Sequence, residues 1–265
     1  MSQNVIAPYH VEDEKNSIPL LDRPLGVAEP PSAEEKSWKE KGSEFMDSEK
    51  QLEKRKALIR QASSGYFYDL HMTRRHGGKT WMAPKVLIRQ EKALYFPDIV
   101  GHRLDNGEKT HTTAMCKGKI TVVSMLTTKI SESHAQAYTE RVNEAYASNP
   151  SYQYLQINLQ ENVLKSLLVN LFLSSLRSTI PTSLHPTYLV SRQNMDYVRD
   201  SLLMTNSRIG YVYVLDEDLK VRWGACADAK PEEEEALYRG VGVLLNRLDK
   251  AKVGSIGAGK KGGKK

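Results

Sequence analysis

Thiols are scarce in this sequence. Cys116 and Cys226 are the only two cysteines, they lie far apart, and neither stands in a C-x-x-C. A disulfide scaffold is excluded, and a cysteine zinc site is disfavoured. Long apolar runs are absent as well: nowhere does the chain offer about twenty consecutive apolar residues, the length of a bilayer-crossing helix. Met1 to Lys15 carries Glu12, Asp13 and Glu14 and no apolar core. Neither a secretory signal nor an Arg-rich, acid-poor transit peptide is expected there. The phosphate-cradling G-x-x-x-x-G-K-S/T, a G-x-G-x-x-G after a strand and the G-x-S-x-G elbow are all missing. His71 and His76 sit in a basic loop at poor spacing for zinc. These absences predict no catalytic residue, no cofactor and no metal.

What is present is a moderately basic chain, with a formal net charge of +6 and 40% hydrophobic residues in 265. Acids are interspersed with the bases, so the excess forms no focused patch. Much of it resides in Lys260, Lys261, Lys264 and Lys265. Such a charge suits nucleic acid, anionic lipid or neither. Residues 1–31 are expected to be disordered, because Pro8, Pro19, Pro24, Pro30 and Pro31 break any helix and no apolar period is sustained. Residues 32–97 read as a charged helix followed by an aromatic and basic arm. Ser32-Ala33-Glu34-Glu35 fits a capping box that opens the helix. In the arm, Tyr66, Phe67, Tyr68, Trp81, Tyr95 and Phe96 interleave with Arg74, Arg75, Lys79 and Lys92. Single-stranded nucleic acid would fit that mixture, as would a membrane surface. An extended arm that pins its aromatics onto the following domain fits equally. Tyr95, Phe96 and Pro97 are its expected anchors.

Residues 98–250 carry the periodic signal. Asp105-Asn106-Gly107-Glu108 is a turn. Gly118 to Leu126 is a β-branched, apolar run that reads as a buried strand over 119–126. A helix is expected over 131–147, capped by Ser133 and Gln136, then a strand over 152–159. Asn162 to Ile180 is helical with apolar residues around nearly its whole circumference, which implies burial or an apolar partner. Gly210–Asp216 and Leu219–Gly224 form a strand pair. Pro231, followed by Glu232 to Glu235, opens a last helix whose acids complement the dipole. Leu237, Val241, Leu244 and Leu248 give that helix one buried face. Residues 251–265 read as a flexible basic tail. The order βαβαββα makes the fold class α/β and thioredoxin-like. Thr127-Thr128-Lys129-Ile130-Ser131 stands where such a fold carries its redox cysteines, and Arg208-Ile209 stands where it customarily carries a proline. Cys116 and Cys226 are both outside the catalytic place, so a structural role is expected for each.

Several runs together resemble a known family. They are Gly65-Tyr66-Phe67-Tyr68-Asp69, Leu94-Tyr95-Phe96-Pro97-Asp98, Asn170-Leu171, Leu176-Arg177 with Ile180-Pro181, Gly210 to Asp216 and Arg222-Trp223. In the same order and spacing, from about residue 50 to 250, they resemble the mitochondrial ATP synthase assembly factors of fungi. The resemblance implies a non-catalytic chaperone, without a cofactor, on the matrix side of the mitochondrial inner membrane. It implies binding to newly made subunit 6 of the membrane sector and help in joining it to the subunit 9 ring. No nucleic acid is then expected. A chaperone for hydrophobic helices must shield apolar area, which makes Leu167, Leu171, Phe172 and Arg177 the candidate partner-binding residues, with Tyr95 and Phe96 of the arm. Two other classes remain open at this level: a thioredoxin-like or peroxiredoxin-like thiol enzyme, and an RNA-binding protein using residues 65–97 and the basic tail.

Overall fold

A computed structural model describes residues 18–32, 77–160 and 167–259, with the side chains of α3 described from Leu173 onward. Seven strands form one sheet: β1 (Val100–Arg103), β2 (Lys109–His111), β3 (Ile120–Leu126), β4 (Tyr152–Leu159), β5 (Tyr188–Ser191), β6 (Tyr211–Leu215) and β7 (Val221–Cys226). The helices are α1 (Thr112–Cys116), α2 (Lys129–Tyr146), α3 (Leu167–Thr179), α4 (Asp196–Ser201) and α5 (Pro231–Gly259), with a 3-10 turn at Thr182–Thr187. The sheet order is β2-β1-β5-β4-β3-β6-β7. β3 pairs in parallel with β4 and antiparallel with β6, Val123 opposite Tyr213.

Within that sheet, β4-β3-β6-β7 with α2, α4 and α5 reproduce the thioredoxin-like plan, whereas the long helix α3 leads to the added strand β5 and lies on the face of α2 and α5. Every residue of β3 and of β6 is buried. A strand covered on both faces is mostly apolar along its length rather than alternating, as ITVVSML and YVYVL are. The two faces close differently. Ile120, Val122, Leu126, Val212, Val214 and Trp223 meet α2, α5 and Leu176 of α3. Val123, Met125, Tyr211, Tyr213 and Leu215 meet α4, α1 and residues from before the domain: Leu25, Trp81, Phe96 and Ile99.

The structure departs from the sequence expectations in four places. Strands β1, β2 and β5 extend the expected four-strand plan beyond β4. β5 follows β4 in parallel and β1 closes antiparallel on β5. These runs are too short for their periodicity to show. Residues 18–31, expected to be disordered, run as an extended strap. Its prolines forbid a helix but not a strand-like path. Leu21 N–H donates to the Met82 carbonyl at 3.1 Å, Val27 N–H to the Tyr95 carbonyl at 2.8 Å, and Leu25 is fully buried. Gly26 enables that path with φ +120°, and a Cβ there would lie 2.4 Å from the Tyr95 oxygen. α2 begins at Lys129, with Thr128 and Ser131 as its capping box rather than Ser133 and Gln136. Helix α5 runs to Gly259, past the 251 boundary expected for a flexible tail. The expectations for residues 1–17, 33–76, 161–166 and 260–265, including the charged helix and the start of the apolar one, lie outside the described residues.

Candidate functional site

The corner after β3 is where this fold presents a reactive group, at the N-terminus of α2. Here three hydroxyls occupy it. Thr127 Oγ1 donates to the Ser207 carbonyl and Thr128 Oγ1 to the Arg208 carbonyl, both at 2.8 Å. Ser131 Oγ accepts from the N–H of Thr127 (2.8 Å) and of Thr128 (2.9 Å) and donates to the Thr128 carbonyl at 2.6 Å. The two threonines therefore clasp the loop before β6, and the serine closes the helix start. His134, one turn along α2, accepts at Nδ1 from the Gly210 N–H (3.3 Å) and faces Asp228 with Nε2 at 3.2 Å. Burial lowers the His134 pKa, against the opposing pull of Asp228. The imidazole holds the loop in its neutral form, with no nucleophile on either nitrogen. Among the described residues no set of three His, Cys, Asp or Glu is placed to hold a metal ion.

Neither cysteine belongs to this corner. Cys116 ends α1 and is fully buried, and burial pushes its thiol up to about 12. Cys226 ends β7, is fully buried, and donates from Sγ to the Trp81 carbonyl at 3.4 Å. Burial raises its pKa too. Both therefore stay protonated thiols at neutral pH, whereas a reactive cysteine needs the thiolate and access.

Beneath the corner lies a charged network that sequence reasoning missed. Lys79, 2% exposed, places Nζ 2.8 Å from Glu233 Oε2, 2.9 Å from Tyr138 Oη, 2.7 Å from the Cys226 carbonyl and 2.9 Å from the Asp228 carbonyl. Its three protons meet four oxygens. Glu233, 3% exposed, also accepts from Tyr138 Oη at 2.8 Å, the Ala83 N–H at 2.8 Å and the Lys230 N–H at 3.2 Å. Burial, then the neighbouring Glu233 carboxylate, holds the Tyr138 hydroxyl protonated, so it remains a donor. A second buried pair, Asp216 with Arg222 at 3.1 Å, repeats the arrangement, and Arg222 Nε donates to the Ile88 carbonyl at 2.8 Å. Both networks fasten residues 79–88 to the domain. The acids at the start of α5 read as dipole partners in the sequence; Glu233 among them is a core ion-pair member. A lone lysine in a basic arm and one glutamate in a run of four give no spacing signal.

The expected partner residues are dispersed. Phe96 is 2% exposed and packs on Tyr213 with ring centroids 6.0 Å apart. It is core, which corrects its expected place on a partner surface: the Val27, Lys220 and Leu219 backbones close over this stretch. Tyr95 is half-buried, paired through its backbone with Val27 and covered by Lys220 Nζ at 5.5 Å from the ring. On α3, Leu173, Leu176 and Ile180 pack inward. Arg177 is exposed, and its Nε donates to the Leu104 carbonyl at 2.8 Å. The backbones of Leu167, Leu171 and Phe172 are helical, and their side chains lie outside the described residues.

Among solved structures, the chain resembles a secreted thiol-disulfide isomerase from Corynebacterium glutamicum at 13% identity and TM-score 0.43, over 62% of this chain and 92% of that one. It also resembles a DsbF homologue from Corynebacterium diphtheriae at 13% identity and TM-score 0.40, over 57% and 89%. Among sequences, the protein named mitochondrial ATPase complex subunit ATP10 in Candida glabrata is 31% identical over 241 residues, 87% of this chain and 86% of that protein. The protein of the same name in Saccharomyces cerevisiae is 31% identical over 239 residues, 84% and 85%. The sequence model of the family described as ATP10 protein matches residues 7–244. With its length matched almost throughout, this chain belongs to the ATP10 protein family.

Proposed function

We propose that this protein is a non-catalytic assembly chaperone of the mitochondrial ATP synthase. In this reading it binds newly made subunit 6 of the membrane sector and helps it join the subunit 9 ring, from the matrix side of the inner membrane. The observation that carries the non-catalytic part is the corner after β3. Threonine and serine hydroxyls there tie down the loop before β6, and both thiols are buried elsewhere. The names of the relatives, as subunits of the mitochondrial ATPase complex, support the assignment to that complex. Among the described residues no helix is long and apolar enough to cross a membrane, which agrees with a peripheral position.

The proposed client surface is α3, with Leu167, Leu171 and Phe172 in its first turns and Arg177 in its last. At about 100° per residue, positions 167 and 171 fall opposite the buried Leu176, while position 172 falls beside it. On that spacing we place the client contact at positions 167 and 171. The test is capture of the tagged protein from mitochondria with newly translated products labelled. Subunit 6 should be enriched, and Leu167→Asp with Leu171→Asp should reduce that enrichment while leaving the melting temperature unchanged. Absence of subunit 6 from the captured products sinks the reading. Unfolding of the double variant reassigns the surface to the core.

A further inference from the structure

Helix α5 is 29 residues long, and its two sides differ in kind. Leu237, Val241, Leu244, Leu245 and Leu248 are buried. At about 100° per residue, Arg239, Val243, Asn246, Arg247, Lys250 and Val253 fall on the opposite side within a stripe about 120° wide. All six are exposed, Val243 at 43% and Val253 at 71%. From Val243 onward the stripe contains no acid. The one acid of this part of the helix, Asp249, lies off the stripe and is held by Asn149 and Ser151.

The stripe is bordered by a second exposed segment of the same character. Leu87 lies against α5 at Gly240, where a Cβ would come within 2.9 Å of its Cδ2. This contact sets residues 85–89 along one flank of the stripe. Lys85 and Arg89 are exposed there, and Val86 is 74% exposed. On the other flank Tyr146 reaches Gly242. Among the described residues, Lys85, Arg89, Arg247 and Lys250 take part in no ion pair. Arg239 is the exception on the stripe, paired with Glu235. Beyond the described helix the sequence continues toward four lysines in its last six residues.

We infer that this face of α5, with residues 85–89 beside it, docks the protein on an anionic lipid surface. Two features point to lipid. Exposed valines stand among cations, Val243 and Val253 on either side of Arg247 and Lys250, and Val86 between Lys85 and Arg89, which sets apolar side chains to enter a headgroup boundary beside basic ones. Cations at such a surface are attracted additively, each through the potential of anionic headgroups. The stripe carries no aromatic ring on which a nucleic-acid base could stack, the feature that single-strand binding uses. The inference rests on the proposed peripheral position at the membrane and names the surface that would hold it there. It also orients the molecule, because the stripe lies on the side of α5 turned away from the sheet.

The experiment is flotation of the full chain with vesicles of phosphatidylcholine containing about a third phosphatidylglycerol, against vesicles of phosphatidylcholine alone. The wild type should bind the first and not the second, and raised salt should release it. Lys85→Glu, Arg247→Glu and Lys250→Glu combined should weaken binding at least about tenfold. Val86→Ser with Val243→Ser should weaken it several-fold at unchanged net charge. All five positions are exposed, so matching melting curves are expected as the folding control. Replacing Lys260, Lys261, Lys264 and Lys265 by Gln should have the smaller effect. If the tail variant abolishes binding while the stripe variants keep it, the inference is overturned. It is equally overturned if the stripe recognises a single-stranded oligonucleotide and not vesicles. Stripe-dependent vesicle binding without capture of subunit 6 refutes the chaperone reading alone; capture of subunit 6 with stripe-independent vesicle binding refutes the docking face alone.

Discussion

Replacing Lys79 by Met tests whether the N-terminal segment is part of the fold or an accessory laid over it. The side chains are similar in length, so the change removes the charge and the hydrogen bonds while leaving little void. Glu233 then keeps its carboxylate in a site that is 3% exposed, with Tyr138, Ala83 and Lys230 as its remaining donors. Removing one partner from a buried pair costs about 3–5 kcal/mol, because the other charge stays buried without compensation. The three remaining donors to Glu233 put the expected loss toward the lower end, about 3 kcal/mol. For a chain of this size that lowers the melting temperature by roughly 6–12 °C. Adding Glu233→Gln to Lys79→Met removes the stranded charge and should recover part of the loss, so the two substitutions are non-additive. Thermal unfolding followed by circular dichroism reads both effects. Limited proteolysis between residues 77 and 97 should show the segment cut faster in the single variant than in the double. A single variant that melts within about 2 °C of the wild type, or a double variant whose loss equals the sum of the singles, would refute the reasoning.

Iodoacetamide should fail to label Cys116 and Cys226 in the native protein at pH 8 and should label both in denaturant, since burial holds both thiols protonated. Rapid labelling of either in the native state, read by mass spectrometry, would return the thiol-enzyme reading to consideration. His134 should make stability fall as the pH drops. Its folded pKa is lowered, so the unfolded chain takes up the proton first, from about pH 6.5 downward. Melts between about pH 7 and pH 5.5 should show a loss of stability that is smaller in His134→Gln, and equal slopes in the two proteins would contradict the assignment.

The central plan was legible because its signals are local and redundant. β3 and β6 are nearly continuous apolar runs rich in β-branched or aromatic residues, and α5 repeats its leucines and valines at helical spacing over three turns. Such patterns survive reading without a partner in view. The strap at 18–32 gave no such signal. It buries Leu25 through a few backbone bonds to residues far along the chain, and composition alone cannot distinguish an extended strap from an unstructured segment. The same holds for the small strands: β2 has three residues, fewer than any period needs. The corner after β3 was legible as a missing thiol. That its threonines fasten Ser207 and Arg208 was not, because that contact depends on two segments meeting across the top of the sheet.

The division of the chain at residue 97 has a physical difficulty that the two buried ion pairs expose. A charge enters a core at acceptable cost only when its partner and its hydrogen bonds arrive with it. Glu233 is supplied by Lys79 and the Ala83 N–H. The Arg222 carbonyl and guanidinium are met by Ile88, and the hairpin backbone at Leu219 and Val221 by Phe96 and Leu94. Trp81 and Phe96 complete the apolar face that includes Tyr213 and Leu215. A domain beginning at Asp98 would therefore lose part of the cover of one face and partners of its buried polar groups. The segment from Gly77 to Pro97 adds Trp81 and Phe96 to the cover that α1 and α4 give that face. That accounts for the interleaving of aromatics and bases there: Trp81 and Phe96 enter the core and Tyr95 lies at its edge, while Lys79 pairs inside it and Lys85, Arg89 and Lys92 remain in solvent.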